Sequence, residues 1–240
     1  MQVARLSCFA LGLALSGWSF SAELVVLVDA STEMPWSLRQ GETVVGGIHR
    51  ELGDLLAERL GRTAQFKALP RKRLAGALAR GEGDFICVSQ PAWLPGPFDW
   101  SRPVLPLVEL LVSLQSAPRP LAVTDLAGLP IGTINGFVYL DLQSALGKNF
   151  VRSDAPNAAA NLRKLNLGRV QHAAFNQQFV DYQRRQGQLT APIHPYLVLS
   201  SSQTQCALSR RSTLRLAELD QALASLAADA SLRALLARYR

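Results

Sequence analysis

Residues able to do recognition chemistry fall in four short stretches of this chain. Glu33 and Trp36 follow the first apolar run. Trp36 offers a face on which a ligand can stack, or else packs beneath its own loop. Glu33 can orient a cationic or hydroxyl group, or stand simply solvated. Ser89 and Gln90 end a later apolar run and supply hydrogen bonds without charge, and Trp93 either adds an aromatic wall or covers the core ahead of Pro95. Arg71 and Arg73 either reach an acidic ligand or form the charged first turn of a helix. Asn135, Gly136 and Phe137 sit where a helix N-terminus would aim backbone N–H groups at an anion or a carbonyl. This is binding chemistry. Acid–base catalysis needs a poised group with partners, and Glu33 is accompanied by no nucleophile, metal cluster or second carboxylate. His49, His172 and His194 are isolated and no Cys/His spacing suits a metal, so neither metal nor cofactor is expected.

The elements that must position these residues are legible from periodicity. Residues 24–28 are apolar and β-branched, as in a strand buried on both faces. Ile48, Leu52, Leu55, Leu56 and Leu60 recur at helical spacing and stop at Gly61. A strand over 63–69, a helix striped by Leu74, Ala77 and Leu78, and a strand over 84–88 complete a βαβαβ unit. Ligands of open α/β sheets bind beyond the carboxyl ends of the strands, which here are the loops at 31–37, 70–73 and 89–93. A long strand is expected over 104–114, then a proline-bearing connector at 116–120 that reads as the crossing out of the first lobe. A second βαβ-type unit follows, with strands beginning at Pro130, Val170 and Ile193, a helix opened by Asp154, Ala155 and Pro156, and a return near Thr204 to a terminal helix pair. The expected organisation is a signal peptide over residues 1–22, a discontinuous lobe 1 of residues 23–115 plus 204–240, and lobe 2 over 116–203. Two α/β lobes joined by two crossings form a hinge around a cleft.

The chain has 240 residues, 48% of them hydrophobic, enough for a sizeable core. Arg5, the apolar stretch at 6–17 and small residues at 19–22 have the form of a secretory signal cleaved after Ser21 or Ala22, too short to span a bilayer. The formal net charge of +7 is spread singly, with one dense run at Arg71-Lys72-Arg73 and no interleaved aromatics. That favours a solvated cationic surface over nucleic-acid binding, and a monomer is expected. After cleavage Cys87 and Cys206 remain in an oxidising compartment. A disulfide is open to them, but two buried thiols in apolar runs are favoured.

Met34-Pro35-Trp36-Ser37, Gly46-Gly47-Ile48, Leu69-Pro70-Arg71-Lys72-Arg73 and Gly81-Glu82-Gly83-Asp84, with Asp125-Leu126-Ala127-Gly128 before Ile131-Gly132 and the Leu-Gly-Arg-Val of the 165–175 segment, resemble the bacterial periplasmic solute-binding proteins of family 3, the polar amino acid-binding type. The resemblance spans almost the whole mature chain. It implies a type II-like periplasmic-binding-protein fold, a periplasmic location, a small polar ligand captured by hinge closure, and service to an ABC-type permease. A periplasmic sensor or accessory module is the alternative, and a dehydratase-like enzyme on the same fold a more distant one. Amino acid-binding members carry an Arg after the third strand and an acid after the Gly-Arg-Val step. This chain has Ser89-Gln90-Pro91-Ala92-Trp93 at the first place and Asn176 at the second. A guanidinium fork is what grips a carboxylate, so its loss points to an acidic or uncharged ligand over a zwitterionic amino acid.

Overall fold

The computed structural model describes residues 22–239; the expected signal segment, apart from its last residue, lies outside them. The first lobe opens with β1 (Glu23–Asp29), a short hairpin of β2 (Leu38–Gln40) and β3 (Thr43–Gly46), α1 (Ile48–Arg59), β4 (Thr63–Leu69), α2 (Arg71–Ala79), β5 (Phe85–Ser89) and β6 (Phe98–Trp100). The second lobe runs through β7 (Pro106–Ser113), β8 (Pro130–Ile134), α3 (Leu140–Leu146), β9 (Val151–Ala155), α4 (Ala158–Asn166), β10 (His172–Asn176), α5 (Gln177–Arg185) and β11 (Leu197–Gln203). The chain then returns as β12 (Gln205–Ser209), α6 (Leu216–Ala228) and α7 (Ser231–Ala237).

Each lobe is a five-stranded sheet with helices on both faces, ordered β4-β1-β5-β12-β6 and β11-β7-β10-β8-β9. β1 is parallel to β4 and β5, which explains why its run is apolar on both sides: one face meets Ile48, Leu52 and Leu56 of α1, the other Leu74 and Leu78 of α2. The second sheet is similarly sandwiched, with Leu162, Leu165 and Phe179 of α4 and α5 on one face and Leu142 and Leu146 of α3 on the other.

The strand near 104–114 departs from expectation. β7 pairs antiparallel with β10 and β11, so it belongs to the second sheet. The crossing therefore lies at residues 101–105, not in the connector at 116–120, and lobe 2 begins about ten residues earlier than its proline-bearing connector suggested. An apolar run identifies a buried strand but not the sheet that buries it. The return crossing is at Thr204 and pairs with the outgoing one: Val104 N donates to Thr204 O (2.8 Å), and both Thr204 N and Oγ1 donate to Leu105 O (2.9 Å each). The helix expected to open at Asp154 begins later. Asn157 caps α4 by accepting from Ala160 N at 2.8 Å, while Asp154 and Ala155 finish β9.

The cysteines correct a second expectation. Cys87 on β5 and Cys206 on β12 form a disulfide across neighbouring antiparallel strands. Pairing of β5 with a strand 119 residues later brings together thiols that looked like separate small apolar side chains. The closed loop contains the whole second sheet, so cross-linking removes much of the unfolded chain's freedom. Reduction, or the double substitution Cys87→Ser/Cys206→Ser, should lower the unfolding free energy by roughly 3–5 kcal/mol. Urea unfolding with and without reductant measures this, and coincident curves would contradict it.

Candidate functional site

A cavity of about 80 Å³ lies between the lobes. Asp29, Thr32, Trp36, His49, Arg71 and Trp93 approach it from the first lobe, with Ile86, Cys87 and Val88 at the end of β5. Leu107, Glu109, Phe137, Val138 and Asn176 close it from the second. At 10–15 Å³ for each water-sized group, the space suits about five to eight non-hydrogen atoms.

The loop carrying Trp36 is fixed by the start of α1. No side chain caps that helix; Ile48 N and His49 N donate to Pro35 O and Trp36 O, both at 2.9 Å. Gly47 makes this docking possible. Its φ is 92°, and a Cβ there would lie 2.7 Å from Trp36 O. So held, the Trp36 indole packs on the first-lobe core while its Nε1 donates across the cleft to Asn176 Oδ1 at 2.8 Å. The same Oδ1 accepts from Phe179 N at 2.8 Å, capping α5. Asn176 thus joins a helix start in one lobe to an indole in the other.

Arg71, the first residue of α2, also reaches the cavity. Its Nη1 lies 3.3 Å from Asp29 Oδ2, and its guanidinium carbon stands 4.8 Å from the centre of the Phe137 ring. Asp29 Oδ1 accepts from Ser31 N and Oγ at 2.8 and 2.7 Å. Arg71 is therefore neutralised and roofed by its own protein. Arg73 is exposed and does not line the cavity.

The sequence candidates divide accordingly. Trp36, Arg71, Trp93, Phe137 and Asn176 line the cavity; Glu33, Ser89, Gln90, Asn135 and Gly136 do not. Glu33 Oε2 accepts from Ala159 N at 2.6 Å, placing its charge on the N-terminus of α4 in the opposite lobe. Gln90 Nε2 donates to Ser202 Oγ at 2.6 Å beside the crossing. Val88 has φ 57°, a left-handed conformation uncommon for a β-branched residue, which breaks the strand's alternation. Cys87 and Val88 consequently both reach the cavity, and Ser89 turns inward with its Oγ buried and unpartnered among the described residues. The helix start expected at 135–137 lies at Leu140, and Tyr139 Oη accepts the Ile134 N–H. Gly136 instead lies against the Arg71 and Lys72 side chains.

Asp29, His49 and Glu109 were not among the sequence candidates. Asp29 read as punctuation behind a strand and His49 as isolated, but Glu109 carried a signal: it is the lone acid in the apolar run 104–114. Burial pushes its carboxyl up to about 7, aided by the nearby negative charge of Asp141. His49 moves the other way. Burial pulls it down to about 4, against the attraction of Asp29 and with the repulsion of Arg71. It is neutral at ordinary pH.

The sequence matches no family model and no curated protein. The structure resembles many solved ones. An ancestral arginine-binding protein bound to arginine superposes with a TM-score of 0.75 at 16% identity, covering 92% of this chain and 99% of that one. A histidine kinase sensor domain with similarity to periplasmic binding proteins gives 0.75 at 19% identity, covering 92% and 96%. The ancestral amino acid-binding protein AncCDT-1, a precursor of cyclohexadienyl dehydratase, gives 0.74 at 15% identity, covering 91% and 95%. The fold is the two-lobed α/β fold of periplasmic binding proteins, as the resemblance in sequence implied.

The two perturbed groups make opposing contributions to stability. Glu109, raised from 4.5 to about 7, holds a proton in the folded chain that the unfolded chain has released, so stability falls between pH 4.5 and 7. His49, lowered from 6.5 to about 4, stays neutral where the unfolded chain is protonated, so stability is full above 6.5 and is lost as pH falls towards 4. These slopes largely cancel. Glu109→Gln removes one of them, and its unfolding free energy should rise by roughly 2–3 kcal/mol from pH 5 to 7 relative to the unsubstituted chain. Urea unfolding across that range tests it, and parallel profiles would refute the assignment.

Proposed function

We propose that this chain is an exported solute-binding protein that captures a small polar ligand between its lobes by hinge closure and delivers it to an inner-membrane permease of the ABC type. The observation that carries the reading is the cavity walled by both lobes beside a paired crossing of the chain, a place that opening and closing must alter. Solved proteins with this fold, among them an arginine-binding and an amino acid-binding one, support it. In this reading the protein works as a monomer in the periplasm, and its signal segment is removed on export.

A second reading, a sensing module that reports to a membrane partner, is favoured by one observation. The lobes are latched by the protein's own groups, Glu33 on Ala159 and Trp36 on Asn176, so closure carries part of its own stabilisation and a ligand adjusts a population that already exists. The histidine kinase sensor domain of the same fold is consistent with that use. An enzyme of the dehydratase kind needs a poised acid or base, and Glu109 supplies a single such group. Recovery of bound ligand unchanged after incubation, read by NMR, separates binding from chemistry.

A thermal-shift screen of residues 23–240 against amino acids, dicarboxylates, amines, sugars and short peptides tests the proposal. One class should raise the melting temperature, since a ligand at 100 times its Kd adds about 2.7 kcal/mol to the folded state. Trp36→Ala should diminish that shift. Silence across the panel would count against a solute-binding role.

A further inference from the structure

The charges on the cavity wall are unequal, and their pairing shows which is free. Arg71 is bound to Asp29 and covered by Phe137, and the second oxygen of Asp29 is held by Ser31. The Glu109 carboxyl has no hydrogen-bond or ion-pair partner among the described residues, although it borders the cavity. His49 is neutral. With Glu109 ionised, two carboxylates face one guanidinium, leaving the wall one negative charge in excess. Most of the remaining lining is aromatic and aliphatic, including Trp36, Trp93, Phe137, Leu107 and Val138, and its polar members, Thr32 and Asn176, are uncharged. An acid beside aromatic faces suits an organic cation, whose charge is met by the carboxylate and by the ring faces. Among the described lining residues no cation is left unpaired to meet a ligand carboxylate: Arg71 is held by Asp29 and His49 is neutral.

Resting on the binding-protein reading above, we propose that the cavity takes a small organic ammonium ion without a carboxylate, its positive nitrogen at Glu109 and its apolar body against Trp36, Trp93 and Phe137. This replaces the acidic or uncharged ligand suggested by the sequence. An acid would meet Glu109 with like charge, and the Arg expected to attract it is occupied by Asp29. An α-amino acid would place its ammonium well but leave its carboxylate buried with no cation to meet it, which disfavours its binding. The size of the cavity agrees with tetramethylammonium, choline or benzylamine.

Titration calorimetry of residues 23–240 with those three cations, and with glycine, alanine and succinate as controls, tests the assignment. The titratable groups around Glu109 are Asp141 of α3 and Tyr139 just before it, and Arg71, Asp29 and His49 across the cleft, of which Tyr139 and His49 are neutral; the strands beside it present uncharged Asn176 and Ser200 in register. Because Glu109 titrates near 7, cation affinity should strengthen by up to about tenfold per pH unit between pH 5.5 and 7 and then level off. Glu109→Gln should weaken binding on the order of tenfold or more and flatten that pH dependence. Glu109→Asp, which keeps the charge, should retain the pH dependence, and circular dichroism confirms that both variants are folded. Binding of glycine, alanine or succinate with the cations silent would overturn the cation assignment and leave the solute-binding role standing. Cation binding that Glu109→Gln leaves unchanged would overturn the placement at Glu109. Silence from all six compounds, together with an unresponsive thermal-shift screen, would remove both.

Discussion

Thr204 bonded to Val104 and Leu105 is the constraint on which the rest of the architecture depends. It holds the outgoing and returning chain side by side, so the lobes are joined by a paired ribbon, a geometry that permits bending while limiting sliding. One residue separates β11 of the second sheet from β12 of the first, and the disulfide between Cys87 and Cys206 anchors that return to β5. The cavity lies beside this base. Its wall includes Cys87 and Val88 from the anchored strand and Leu107 and Glu109 from the strand that leaves the crossing. Ribbon, cross-link and site are one local structure, and a change in lobe angle acts on the cavity directly.

Across the cleft, side chains of recognition type are largely engaged with each other. Trp36 spends its N–H on Asn176, Glu33 its charge on the start of α4, and Arg71 its guanidinium on Asp29 and the Phe137 ring. A charge-assisted hydrogen bond contributes about 1.5–3 kcal/mol at most, less the cost of fixing its partners, so these latches bias closure without making it permanent. Among the charged groups of the described lining, the one left without a partner is the Glu109 carboxyl, beside a wall that is mostly aromatic and aliphatic. Ligand selectivity in this account follows from which charges the protein has already paired.

Much of the fold was legible because periodicity reports burial. The two-faced apolar run of β1 and the leucine stripe of α1 led to the correct elements, and the resemblance at Gly46-Gly47-Ile48 has a physical cause in the close approach of Trp36 O to Gly47. Sheet membership was less legible. β7 is as apolar as a first-lobe strand, and only its partners β10 and β11 assign it to the second. The site was half legible for a related reason. Types such as Trp36, Arg71 and Asn176 mark recognition chemistry, but a sequence does not show that Glu33 is used on a helix start or that a left-handed Val88 turns Ser89 away. Glu109 is the instructive omission, because an acid alone in an apolar strand is costly to bury and needs a reason to be there.

Hydrogen exchange at the Ala159 amide tests the central claim, closure of the two lobes around a ligand, most directly. That N–H is held by Glu33 from the opposite lobe, so its exchange reports separation of the lobes with no probe attached. With whichever compound raises the melting temperature at saturation, the account requires Ala159 to exchange more slowly, since a ligand held by both lobes lowers the population of the open form. Saturating ligand that leaves Ala159 exchanging at its ligand-free rate would contradict it, and would place binding outside the cleft.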